Sequence, residues 1–166
     1  DGKFNGRHKT HLVAGGRQAP DVPSEDLYSG IVSVETIRMA FVLAVTNNLD
    51  VNTANISTTF LYGKTREKFY VVAGPGFGEH AGKRMIIDRG LYGLKTSAAR
   101  FHEHLSAKLR RMGFKPTRAD PDLWYIKSPD YDGYDYIATH VDDVIYCSKT
   151  TNGIYVTIGT GILFTK

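Results

Sequence analysis

Two adjacent carboxylates, Asp142 and Asp143, stand between two runs rich in β-branched and aromatic residues, Tyr136 to Val141 and Val144 to Cys147. Such runs read as strands, and the acidic pair as the tip of a hairpin joining them. Carboxylates this close repel each other, and a divalent cation is the usual relief. A solvent-exposed acidic turn with no ligand has the same local sequence, so the pair alone leaves both readings open. Other chemistries are excluded more readily. The six histidines, His8, His11, His80, His102, His104 and His140, fall at no zinc-binding spacing. The glycines of Ala73 to Gly78 fit neither a phosphate loop nor a dinucleotide fingerprint, and no Lys-Ser/Thr follows them. Cys147 is the only cysteine, which rules out a disulfide framework and points to a reducing, intracellular setting.

The elements that must position the pair fit one domain. A chain of 166 residues can bury a sizeable core, and 42% hydrophobic with 23% charged residues places it among globular proteins. A net charge of +4 permits a nucleic-acid partner without demanding one. The start of the chain is polar and basic, unlike a signal peptide, and the longest apolar run, Met39 to Val45, is too short to span a bilayer. A soluble chain is expected, with no membrane partner. Its abrupt ends suggest a piece of something longer.

Lys9 to Ala14 reads as a strand, and Gln18 to Glu25 as a surface connection. Ser33 is the candidate N-cap of a helix that runs to Asn47-Asn48, with Glu35 favoured in its first turn. This helix is apolar nearly all round from Met39 to Val45, which predicts deep burial. Strands are expected at Leu49 to Ile56, Glu67 to Val72, Arg84 to Asp88 and Leu123 to Ile126, with a turn or short helix around Phe60-Leu61-Tyr62. A second helix, capped by Thr96 or Ser97, carries Phe101, Leu105, Leu109 and Met112 on one face and ends at Gly113. This order predicts an α+β fold with antiparallel strands.

Several ordered motifs then carry a resemblance. They are Lys9-Thr10-His11-Leu12-Val13-Ala14-Gly15-Gly16, Tyr28 to Ser33 with Ile37-Arg38, Lys64 to Tyr70, Gly74-Pro75-Gly76-Phe77-Gly78, Leu91-Tyr92-Gly93-Leu94-Lys95, Asp120-Pro121-Asp122-Leu123-Trp124 and the Val-Asp-Asp turn. Together they resemble the copia-type retrotransposon reverse transcriptase over residues 1 to about 148. The resemblance implies the palm of a right-hand polymerase, with an antiparallel sheet and packed helices, plus partial fingers. It also implies RNA-directed DNA polymerase ancestry, with a template-primer and deoxynucleotides as partners. Residues 149 to 166 lose the likeness and form a divergent tail.

In the family, three carboxylates hold two metal ions, magnesium by expectation, that stabilise the attacking and leaving oxygens of nucleotidyl transfer. Asp142 and Asp143 match the pair on the turn, with His140 where the family usually has Tyr. The third acid precedes an aromatic-Leu pair by five residues. Here that pair is Phe60-Leu61, so position 55 takes the third place, and it is Asn55. Choosing Asp50 instead would require five inserted residues. An amide is a poorer magnesium ligand than a carboxylate, so the resemblance implies a polymerase that is impaired or dead. Phe60 stands where the family's aromatic ring rejects a ribose 2′-hydroxyl. Lys9 and His11 correspond to finger-side cations facing the triphosphate, with His11 in place of an Arg, and Tyr92, Gly93 and Lys95 to a wall of the nucleotide pocket. The alternatives are a nucleic-acid-binding remnant without catalysis, or a decayed fragment with no activity.

Overall fold

The computed structural model describes residues 12–14, 23, 27 and 29–149, together with the backbone of 164–165. Chain order is α1 (Val34–Thr46), β1 (Asp50–Ile56), a 3₁₀ turn at Thr59–Tyr62, β2 (Lys64–Val72), a 3₁₀ segment at Pro75–His80 and β3 (Arg84–Arg89). It continues with α2 (Ser97–Arg111), β4 (Lys115–Pro116), β5 (Leu123–Lys127), β6 (Tyr134–His140), β7 (Asp143–Ser148) and β8 (Phe164–Thr165). The main sheet runs β4-β5-β6-β7-β1-β8 with antiparallel neighbours, and β2 and β3 form a separate antiparallel pair. This is the expected α+β architecture. The two-residue strand β4 was not anticipated. Among the described residues no helix is long and apolar enough to cross a membrane.

Strand alternation sends side chains to opposite faces, and each face of the main sheet receives one helix. On one face Ile56, Trp124, Ile137, Val144 and Tyr146 pack with Phe101, Leu105 and Leu109 of α2. On the other, Ala138 and Leu123 meet Val32 and Ala40, while Cys147 meets Ala44 and Leu49. Burial pushes the Cys147 thiol up to about 11.

The expected deep burial of α1 is corrected here. Only Thr36, Ala40 and Ala44 are buried, whereas Met39, Phe41, Val42 and Val45 are exposed, Val45 at 81%. Two alanines on one face let the helix lie close to the sheet, and nothing among the described residues covers the outer face. The first expected strand is described only at 12–14, where Val13 makes an isolated parallel bridge to Tyr92. The remainder of that strand and the connection at 18–25, apart from Pro23, lie outside the described residues.

Caps and long-range pins fix the helices. The Ser33 hydroxyl accepts from the Thr36 amide at 3.1 Å, as its N-cap position predicts. The Asp120 carboxylate accepts from the Ser33 amide at 3.0 Å and from the Asp122 amide at 3.0 Å. Asp122, buried, meets His102 Nε2 of α2 at 2.6 Å. Gly30 lies against this pair, where a Cβ would collide with both side chains. At the far side, buried Arg100 of α2 donates to Glu67 of β2 at 3.0 Å and to Glu103 at 3.0 Å, tying the small sheet to the helix.

Candidate active site

The hairpin β6–β7 turns through Val141 and Asp142, with His140 paired to Asp143 across the last rung. Asp142 therefore sits in the turn and Asp143 opens β7. A two-residue hairpin needs positive φ at its first central position or at both. The positive φ falls on Val141, at 55°, rather than on either Asp. A β-branched residue there is an outlier, and such strain persists only where surrounding structure over-determines it.

That structure is β1. It pairs with β7 from Asp50↔Ser148 to Asn55↔Asp143, so Asn55 arrives beside the acidic tip. One residue on, the Ile56 amide donates to the Asp142 carbonyl at 2.7 Å and closes the turn against the strand end. The Asn55 side chain then donates through Nδ2 to both acids, at 3.3 Å to Asp142 Oδ2 and 3.0 Å to Asp143 Oδ1. Asp50 lies at the opposite end of β1, exposed. Five residues of extended strand put it about 17 Å from Asn55.

After β1 the chain turns sharply. Thr58 takes a left-handed conformation at φ 54°, and the Thr59 hydroxyl donates to the Ile56 carbonyl at 2.7 Å. The 3₁₀ turn that follows presents Phe60, half-buried, with its ring edge-to-face against Tyr92 at 4.8 Å. The Tyr92 carbonyl also accepts from the Ala14 amide at 2.7 Å. Gly93 has φ 91°, and a Cβ there would run into the Ala14 carbonyl oxygen.

The structure thus brings Asn55, Asp142 and Asp143 into one hydrogen-bonded group, and Phe60 into ring contact with Tyr92, next to Gly93. Lys95 is exposed just ahead of α2. Lys9 and His11 lie outside the described residues. An apolar hollow of about 300 Å³ between β2–β3 and residues 12–14, lined by Val13, Val71, Phe77, Met85, Ile86 and Leu91, includes none of the expected site residues. Sequence reasoning missed the anchoring done by Asp120 and Asp122. Their signal was present in the Asp-Pro-Asp segment ahead of a strand, where short acidic side chains commonly accept from backbone amides.

An α+β domain with a strained acidic hairpin closed by a neighbouring strand end defines the class of site. Residues 1–156 match the family described as reverse transcriptase (RNA-dependent DNA polymerase), and the chain belongs to that family. Its relatives bear out the copia-type resemblance. It is 27% identical over 147 residues to the retrovirus-related Pol polyprotein from transposon TNT 1-94 of Nicotiana tabacum, a match covering 86% of this chain and 11% of that protein. It is 29% identical over 152 residues to the transposon Ty1-BL Gag-Pol polyprotein of Saccharomyces cerevisiae, covering 90% of this chain and 8% of the relative. The Ty1-DR5 Gag-Pol polyprotein of the same yeast is 30% identical over the same shares. The chain spans about a tenth of the length of these relatives. No solved structure matches it.

Reverse transcriptases generally use divalent metal ions. The donor set here does not fit two of them. Among the described residues no group of three or more His, Cys, Asp or Glu side chains is placed to hold a metal. Two carboxylates carry two negative charges against four positive ones, and the third side chain presents N–H rather than a ligand oxygen to the pair.

Proposed function

We propose that this chain is the palm and partial fingers of a retrotransposon polyprotein's RNA-directed DNA polymerase, impaired by an amide at its third acid position. Residues 1–148 make up the fingers and palm, and 149–166 a divergent tail. Asp142 and Asp143 are the two acids retained from an ancestral two-magnesium site. Phe60 discriminates between sugars, and Tyr92, Gly93 and Lys95 wall the nucleotide pocket, with Lys9 and His11 on the triphosphate side. RNA or DNA template-primer and deoxynucleotides are the partners.

The observation that carries the reading is the bonding of Asn55 to both carboxylates in a chain of this family. Loss of one negative charge from an electrostatic site of this kind costs roughly 10²-fold or more in rate. Primer extension on an RNA template tests it. The chain should extend poorly, Asn55→Asp should recover synthesis, and Asp50→Ala should change nothing. Near-normal magnesium-dependent synthesis by the unaltered chain would overturn the impairment. The same amide favours a second reading, a nucleic-acid-binding module without catalysis. Gel-shift of a template-primer by both the unaltered chain and the Asn55→Asp variant, with extension by neither, would favour it.

A further inference from the structure

We propose that the Asn55 amide is an internal substitute for a divalent cation, so that this end of the sheet is held closed without metal. The inference takes from the polymerase reading only the identity of Asp142 and Asp143 as the metal-binding pair. An ionised carboxylate only accepts hydrogen bonds, and a side-chain amide nitrogen carries two donors. Nδ2 uses them on two different carboxylates, at 3.3 Å and 3.0 Å. Rotating the amide by half a turn would aim its carbonyl oxygen at both acids, lone pairs against lone pairs. The N–H side is therefore fixed inward by the acids themselves.

The backbone that carries the side chain is also fixed. Asn55 is held by its register opposite Asp143, and the Ile56 amide is bonded to the Asp142 carbonyl immediately beyond. Among the described residues no Lys or Arg forms an ion pair with Asp142 or Asp143, and the Asn55 amide donates to both. The Asn55 and Asp142 residues are half-buried, where a donor of this kind counts for more than in open water. An acid at the same position would replace two attractive contacts with a third carboxylate facing the first two. Such a cluster is relieved by a cation or a proton. One exchange, amide nitrogen for carboxylate oxygen, thus replaces side-chain repulsion that a cation would relieve with contacts that need none.

The test compares thermal unfolding of the unaltered chain, Asn55→Asp and Asn55→Ser in EDTA and in millimolar magnesium, with manganese binding followed by electron paramagnetic resonance. The unaltered chain should unfold at the same temperature in both media. Asn55→Asp should be less stable in EDTA, gain stability from magnesium, and bind manganese about tenfold or more tightly than the unaltered chain. Asn55→Ser removes the amide without adding charge, and it too should become responsive to magnesium. Equal magnesium stabilisation of the unaltered chain and Asn55→Asp overturns the proposal, as does indifference of both variants. Manganese binding by Asn55→Asp without primer extension upholds this inference while removing the polymerase reading. Restored extension alongside a magnesium-stabilised unaltered chain does the reverse.

Discussion

Replacing Glu67 by Gln should loosen the hold of the β2–β3 sheet on α2. The Arg100 side chain is 2% exposed, and its guanidinium donates to Glu67 Oε1 at 3.0 Å and to Glu103 Oε1 at 3.0 Å. Removing one partner of a buried ion pair costs about 3–5 kcal/mol, because the surviving charge is stranded away from water. Three features lower that figure here. The Glu67 side chain is 26% exposed, and Glu103 stays behind to compensate Arg100. Gln also keeps an acceptor oxygen. About 2 kcal/mol is therefore expected, which in a chain of this size corresponds to a fall in Tm of about 4–8 °C. Urea unfolding followed by circular dichroism reads the free energy, and a thermal scan reads the Tm. The double variant Glu67→Gln/Arg100→Met strengthens the test, since an apolar side chain of similar length no longer needs the carboxylate. Its loss should be smaller than the sum of the single losses by about 1–2 kcal/mol. If Glu67→Gln stays within about 0.5 kcal/mol of the unaltered chain, or the two changes simply add, the pin carries no energy and the reasoning fails.

Two more outcomes follow from the same geometry. Burial raises the pKa of Asp120, but the Ser33 and Asp122 amides and the Thr36 and Ser33 hydroxyls outweigh it and hold the group below the usual carboxylate range. A depressed folded pKa gives stability that is present above the unfolded value of about 3.9 and lost as pH falls through the folded one. Asp120→Asn should cost about 1–2 kcal/mol at neutral pH and flatten the acid limb of the stability curve, and identical acid slopes for the two proteins would count against it. Gly93→Ala meets both a left-handed φ and the Ala14 carbonyl, so about 2 kcal/mol of local strain is expected. Hydrogen exchange at the Ala14 amide, bonded to Tyr92, should accelerate. Unchanged protection there would show that the bridge tolerates a side chain.

Much of the fold was legible because strand and helix periods are local. The second helix was expected with its Phe101, Leu105 and Leu109 face inward, and that face packs the core. The first helix shows where periodicity stops informing. An apolar run from Met39 to Val45 states that the helix can be buried on every side, not that anything lies on every side, and two alanines decided which face the sheet took. The pins were illegible for a different reason. Glu67 with Arg100, and His102 with Asp122, join residues 33 and 20 apart in sequence, and no local pattern announces such partners.

The acidic site sits between these cases. Counting back five residues from Phe60 distinguished Asn55 from Asp50 because an extended strand is a ruler: a five-residue error moves a side chain about 17 Å, from the hairpin tip to the far rung. In the fold Asp50 faces Ser148 and Asn55 faces Asp143, so the count and the register agree on which side chain reaches the pair. What the count could not supply is the sense of the contact. An Asn at a metal-ligand position reads from sequence as a weakened ligand, offering its carbonyl. Beside the two acids it turns the other way and donates. The contact in the fold is therefore one of a donor to two acceptors, not of a third ligand oxygen beside them.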